Sequence, residues 1–206
     1  MPISSSTIPV VFTALAAAFR VEAAEVREAN MLEGDLGRVA VLVRAGRLHE
    51  RELRVFHPLK CMLARPEPDA AAVLAHFAGV SPLWIEPKFD GIRAQIHTDG
   101  THARVFTRDL KCATGMFPEI ANAAASLGCS AIFDAELVAW KNGRPLPFFT
   151  LQRRLGRRGD DFFLGNEIPV VDVLFDVLHL DGRPLLDVPL AERRALLAGV
   201  ELNQPL

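Results

Sequence analysis

Three dipeptides, Asp99-Gly100, Asn142-Gly143 and Asp181-Gly182, punctuate runs of apolar and β-branched residues in the central part of this chain. Such pairs supply the backbone geometry of a tight hairpin, and the runs beside them alternate with the two-residue period of a strand. Residues 83–89, 92–97, 103–107, 131–140 and 170–180 accordingly read as strands, with helical patterns at 117–127, 150–157 and 190–198. Hairpins interleaved with helices specify an α+β fold on a mainly antiparallel sheet with flanking helices, not a doubly wound parallel one.

The first 56 residues follow a different rule. Ser6 or Thr7 caps a helix reaching Phe19, a second helix covers 23–32, and a third covers 35–45. Gly34, Gly37 and Gly46 supply their ends. The apolar stripes are modest, so this is a short all-α segment with a thin core. Pro58, Pro66 and Pro68 then mark a connector, followed by a short helix over 69–78. The expected division is 1–56 and 57–206.

Half of the 206 residues are apolar (50%) and 23% are charged, an ordinary globular balance. A formal net charge of -2 excludes a strongly cationic coat, although phosphate binding needs only a local basic face. Cys61, Cys112 and Cys129 form no Cys-x-x-Cys pair, so neither a zinc site nor a disulfide framework is indicated, and free thiols fit a reducing compartment. The apolar run 8–19 lacks a preceding basic stretch and is too short to cross a bilayer. The resulting expectation is a cytoplasmic protein without membrane association. The six histidines show no metal-ligand spacing.

The segment richest in chemistry is Glu86-Pro87-Lys88-Phe89-Asp90-Gly91-Ile92-Arg93. On an extended backbone Glu86, Lys88 and Asp90 share one side. Gly91 permits a bend and a close backbone approach. Beyond it, Arg93, Gln95 and His97 share the face opposite Ile92, Ala94 and Ile96. A lysine among acids suits nucleophilic attack on a phosphate. At pH 7 only about one free lysine in 2,500 is neutral, so such chemistry needs desolvation or neighbouring cations. The plainer alternative is a charged hairpin facing water.

Glu-x-Lys-x-Asp-Gly-x-Arg resembles the nucleotidyltransferase signature of the ATP-dependent DNA ligases, and Arg93-Ala94-Gln95-Ile96-His97 extends the likeness. The resemblance implies an ATP-grasp-like adenylation domain in which Lys88 becomes linked to AMP. Glu86 would contact adenine, Arg93 the ribose or a nucleic-acid phosphate, and Asp90 and Gly91 would complete the nucleotide-binding signature. Further matches follow in the family's order. Val105-Phe106-Thr107-Arg108-Asp109 places Arg108 near the nucleotide's sugar and phosphate, and Phe133-Asp134-Ala135-Glu136 gives Glu136 to the ribose and to Mg²⁺. The segment beginning Phe175-Asp176-Val177 offers Phe175 as a stacking platform for the base. The basic stretch with Arg153, Arg154, Arg157 and Arg158 reads either as DNA-contacting or as a solvated helix face. Phe149 stands where the family leads one to expect glutamine, and Cys61 where it has proline.

By the same resemblance the cofactors are ATP and Mg²⁺, and the substrate is nicked double-stranded DNA. A Glu-Gly strand, a Lys-x-Lys strand and an OB-fold domain would be expected beyond these residues, and none is present in the sequence. The chain therefore reads as a ligase fragment: the tail of a helical DNA-binding domain, then an incomplete adenylation domain, with a second chain as a candidate source of the rest. Two alternatives remain: a non-catalytic nucleotide- or DNA-binding remnant, and an RNA ligase or capping-type nucleotidyltransferase.

Overall fold

The structure, a computed structural model, describes residues 8–80, 83–155 and 168–200. Four helices come first: α1 (Ile8–Phe19), α2 (Ala23–Glu33), α3 (Leu36–Arg44) and, after a 3-10 turn at Leu48–Glu50, α4 (Ala70–His76). Asp35 caps α3 by accepting from the backbone N–H groups of Gly37 and Arg38 at 2.7 and 3.3 Å, and Asp69 caps α4 in the same way through Ala72. The cap expected for α1 at Ser6 or Thr7 lies outside the described residues. Phe12, Val26, Ala29, Val39, Leu42 and Val43 make the small core anticipated for these helices.

The sheet elements are β1 (Ile92–Asp99), β2 (Ala103–Thr107), β3 (Ser130–Lys141), β4 (Arg144–Pro145), β5 (Val170–Leu180) and β6 (Arg183–Pro184). Helices α5 (Pro118–Ala125), α6 (Phe148–Leu155) and α7 (Leu190–Gly199) lie between or after them. The strand order is β2-β1-β3-β5-β6 with β4 on β3, and every pairing is antiparallel. The chain thus forms the mixed helix and antiparallel-sheet architecture that its turns specify. Asn142-Gly143 and Asp181-Gly182 both adopt positive φ, as their hairpins require.

Strand alternation divides the sheet cleanly. Ala94 and Ile96 of β1 and Phe133, Ala135 and Leu137 of β3 join the main core with Phe117, Ile120, Leu151 and Leu197. The opposite face carries Arg93, Gln95, His97, Asp134 and Glu136. Residues 56–62 run against it as a strap. Gln95 accepts from the Leu59 N–H at 3.0 Å and donates to the Leu59 carbonyl and to Cys61 Sγ, while His97 Nδ1 accepts from the Phe56 N–H at 3.0 Å. The face of Arg93, Gln95 and His97 read from the sequence exists, and most of its hydrogen-bonding capacity holds this connector.

One expected strand is corrected. Residues 83–90 pair with no strand among the described residues, and β1 begins only at Ile92. Alternation reports what a segment prefers, whereas a strand needs a partner edge. Both edges of β1 are taken by β2 and β3. Helix α6 starts at Phe148, earlier than expected, and its predicted last residues, 156 and 157, lie outside the described residues. No helix among the described residues is long and apolar enough to cross a membrane.

Candidate active site

The segment bearing Lys88 is exposed from Leu83 to Lys88 and hangs between two anchors. At its end, the Gly91 N–H donates to Glu136 Oε1 at 3.1 Å, and a Cβ on Gly91 would collide with the Leu137 carbonyl oxygen. Only glycine lets the backbone approach β3 this closely. At its beginning, Arg194 of α7 pairs with Glu86 at 2.7 Å and lies 5.3 Å from the Trp84 ring centroid. Phe89 packs beside Trp140, with centroids 6.3 Å apart. Lys88 and Asp90 remain exposed.

Glu136 stands opposite Arg93 in the β1–β3 register. Burial pushes its carboxyl above the ordinary glutamate value, opposed by the Gly91 N–H, by Lys88 and by Arg93. Lys88 and Glu136 are thus close enough to sense each other's charge. Arg93 donates to both Asp134 oxygens, at 3.1 and 2.7 Å, and to the Met62 carbonyl at 2.6 Å. Burial, with the charge of Asp176 adding to it, pushes the Asp134 carboxyl up against the lowering effect of Arg93, and Asp134 in turn raises the guanidinium. With arginine charged throughout the working range, this bidentate contact is an ion pair near neutrality. The resemblance gives Arg93 to the nucleotide or DNA; the structure shows it chiefly joining β1, β3 and the strap, with its guanidinium 5.5 Å from the Phe175 ring centroid.

Phe175 owes its position to a bulge. Asp134 pairs with Asp176 and Ala135 with Leu174, so Phe175 is the extra residue of β5; a second shift bypasses Leu178 in the same way. Bulges of this kind re-aim side chains beside functional sites. The adjacent Asp176 is gripped by Arg193 through both oxygens, at 2.7 and 2.9 Å.

Arg108 is exposed in the turn after β2. The pairing of Thr107 with Ala94 sets it at the end of the sheet where β1 begins, the end that also carries Gly91 and Glu136. The basic stretch separates. Arg153 is exposed, whereas Arg154 is buried and donates to the carbonyls of Met116 and Ile168 and to Glu119. Assigning Arg154 to DNA is therefore corrected: its N–H groups are committed to joining α6, α5 and the turn before β5. Arg157 and Arg158 lie outside the described residues.

Sequence reasoning passed over Arg193 and Arg194, noted only as part of a final helix, and gave Asp134 and Asp176 no task. The available signal was an acid flanked by apolar residues in each of two predicted strands. A half-buried carboxylate needs a donor, and two adjacent arginines downstream could supply it.

The donor set fits a magnesium nucleotide. Among the described residues no group of three or more His, Cys, Asp or Glu side chains could hold a metal. Glu136, with one oxygen taken by Gly91, has a second available, and Mg²⁺ is commonly held by one or two carboxylates together with the phosphates it bridges.

Residues 61–204 match the family model described as ATP dependent DNA ligase domain. A probable DNA ligase of Opitutus terrae is 45% identical across 89% of this chain, which covers 21% of that protein. A probable DNA ligase of Koribacter versatilis is 41% identical across 91% of the chain and 32% of its own length. The DNA ligase of Methanothrix thermoacetophila is 40% identical across 91% and 34%. Among solved structures, the ligase domain from M. tuberculosis LigD aligns at 30% identity and a TM-score of 0.46, over 55% of this chain and 35% of that one. The chain spans about a fifth to a third of the length of these three relatives. With residues 61–204, more than half of the chain, matched by that family model, the chain belongs to the ATP-dependent DNA ligase family.

Proposed function

We propose that this chain carries the nucleotide-binding and lysine-adenylating part of a DNA ligase, with Lys88 as the nucleophile. The observation that carries the reading is the setting of Lys88: an exposed lysine on a segment tethered at Glu86 and Gly91, beside Glu136. Deprotonated Lys88 Nζ attacks the α-phosphorus of ATP, a P–N bond forms, and the bond to pyrophosphate breaks. Glu86 and the Phe175 ring take the base, Arg108 lies on the side of the sugar and phosphates, and Glu136 holds the ribose and would hold Mg²⁺. When bound, that ion neutralises charge developing on the phosphate oxygens. The AMP would then pass to the 5′-phosphate of a DNA nick, where the 3′-hydroxyl displaces it.

Among the described residues of the basic stretch, Arg153 is the one whose exposure supports a DNA contact. Residues 1–56, helical in α1 to α3, are consistent with the end of a DNA-binding domain, and 57–206 with the adenylation domain. A soluble cytoplasmic setting fits this work.

Incubation of the chain with ATP and Mg²⁺ and measurement of intact mass tests the proposal. An added AMP in the wild type, lost in Lys88→Ala, is expected. A folded wild type that acquires no adduct yet binds ATP equally well with and without Lys88 would leave a nucleotide-binding module and sink the enzymatic reading.

A further inference from the structure

We infer that Arg194 is a positioning residue that fixes base selectivity by holding Glu86. The inference rests on the reading of Glu86 and Phe175 as the base-contacting pair, and adds a residue that neither the signature nor the family match singles out.

Residues 83–90 have no ladder partner among the described residues, so side chains must hold them. Arg194 supplies three contacts at once. Its Nη2 reaches Glu86 Oε1 at 2.7 Å, its guanidinium lies 5.3 Å from the Trp84 centroid, and its Nη1 donates to the Phe175 carbonyl at 2.8 Å. Arg194 is 24% exposed and Glu86 45%, so the arginine is the packed partner and the carboxylate the accessible one. Trp84 and Glu86 lie four and two residues before Lys88 in this segment. Fixing the first two therefore constrains the third.

The contact to the Phe175 carbonyl joins this segment to the β5 bulge, so the stacking ring and the base-contacting carboxylate keep one spacing. One Glu86 oxygen is occupied by Arg194 and the other is open to a ligand. A carboxylate accepts hydrogen bonds only: it suits the exocyclic amine of adenine and repels the carbonyl at the same position of guanine. A swinging carboxylate loses that discrimination; a clamped one keeps it. Lysine would restore the charge without the fork that spans the carboxylate and the carbonyl.

The test uses the whole chain. Isothermal titration with ATP and with GTP is run on wild type, Arg194→Ala, Arg194→Lys, Glu86→Ala and the Glu86→Ala/Arg194→Ala double variant. Arg194→Ala is expected to weaken ATP binding about tenfold, the loss typical of a charged hydrogen bond, and to narrow the ATP-to-GTP ratio. Arg194→Lys should recover part of the affinity. In the Glu86→Ala background, removing Arg194 should leave the ratio unchanged. In parallel, acrylamide quenching of Trp84 in a Trp140→Phe background should rise when Arg194 becomes alanine. A folded Arg194→Ala chain that binds ATP with wild-type affinity and selectivity overturns this inference alone. A wild type that binds neither nucleotide overturns the underlying reading and the selectivity with it, while the quenching still decides whether Arg194 holds the segment.

Discussion

At Gly91 the backbone N–H donates to Glu136 and the α-carbon faces the Leu137 carbonyl with no room for a methyl group. Gly91→Ala must therefore separate β1 from β3 at the residue where the Lys88 segment is anchored. A loss of about 1–3 kcal/mol is expected from the overpacking, read by urea denaturation. The effect on adduct formation should exceed the effect on stability, because displacing Gly91 moves Lys88 away from Glu136. Wild-type stability together with wild-type adduct yield would show that the close approach is dispensable. The same scale explains Phe175, which the resemblance marks as a stacking platform without saying how it is aimed. A one-residue bulge in β5 gives it its position under Arg93.

Among the elements, the strap over 56–62 shows how a family of polar side chains on one strand can organise a segment with no secondary structure. Gln95 is 1% exposed and acts as a surrogate peptide, meeting both the N–H and the carbonyl of Leu59. Arg93 and His97 hold the strap on either side, at Met62 and Phe56. Gln95→Leu keeps bulk and removes both partners of Leu59. The expected cost is at least about 2 kcal/mol, since unsatisfied buried polar groups are penalised singly. Trypsin cleavage after Lys60 should accelerate as well; an unchanged cleavage rate would show that the strap is held by other contacts. Helix α7 has a comparable task, with Arg193 and Arg194 tying β5 and the Lys88 segment together.

For the molecule as a whole, two buried groups give opposing responses to pH. Burial pushes Asp172 up from 3.8 to about 6. Between these values the folded chain keeps a proton that the unfolded chain has lost, so stability falls as pH rises through the window. Burial lowers His97 from 6.5 to about 3, helped by the charges of His57 and His179. Here the unfolded chain takes the proton first, so stability falls as pH drops from 6.5 toward 3. From about pH 4 to 6 the two slopes, each up to about 1.4 kcal/mol per unit, largely cancel. Asp172→Asn should therefore gain on the wild type as pH rises, by about 2 kcal/mol between pH 4 and pH 6. His97→Gln, whatever its absolute stability, should gain on the wild type as pH falls. Flat difference curves from urea melts across pH 4–7 would show that neither group titrates as its burial dictates.

Alternation in β1, β3 and β5, the Asp-Gly and Asn-Gly turns, and the signature around Lys88 were all legible, because each depends on residues within a few positions of one another. They determined the sheet class, the inward and outward faces and the family. Tertiary structure alone decided that residues 83–90 find no strand partner among the described residues, that β5 bulges at Phe175, that Arg154 is buried, and that Arg93, Gln95 and His97 face a strap. It also matched Asp134 with Arg93, Asp176 with Arg193 and Glu86 with Arg194. A side chain's local preference is written beside it in the chain, but the partner that satisfies a buried charge, or the edge that completes a strand, is supplied by residues tens of positions away and exists only once the sheet has closed.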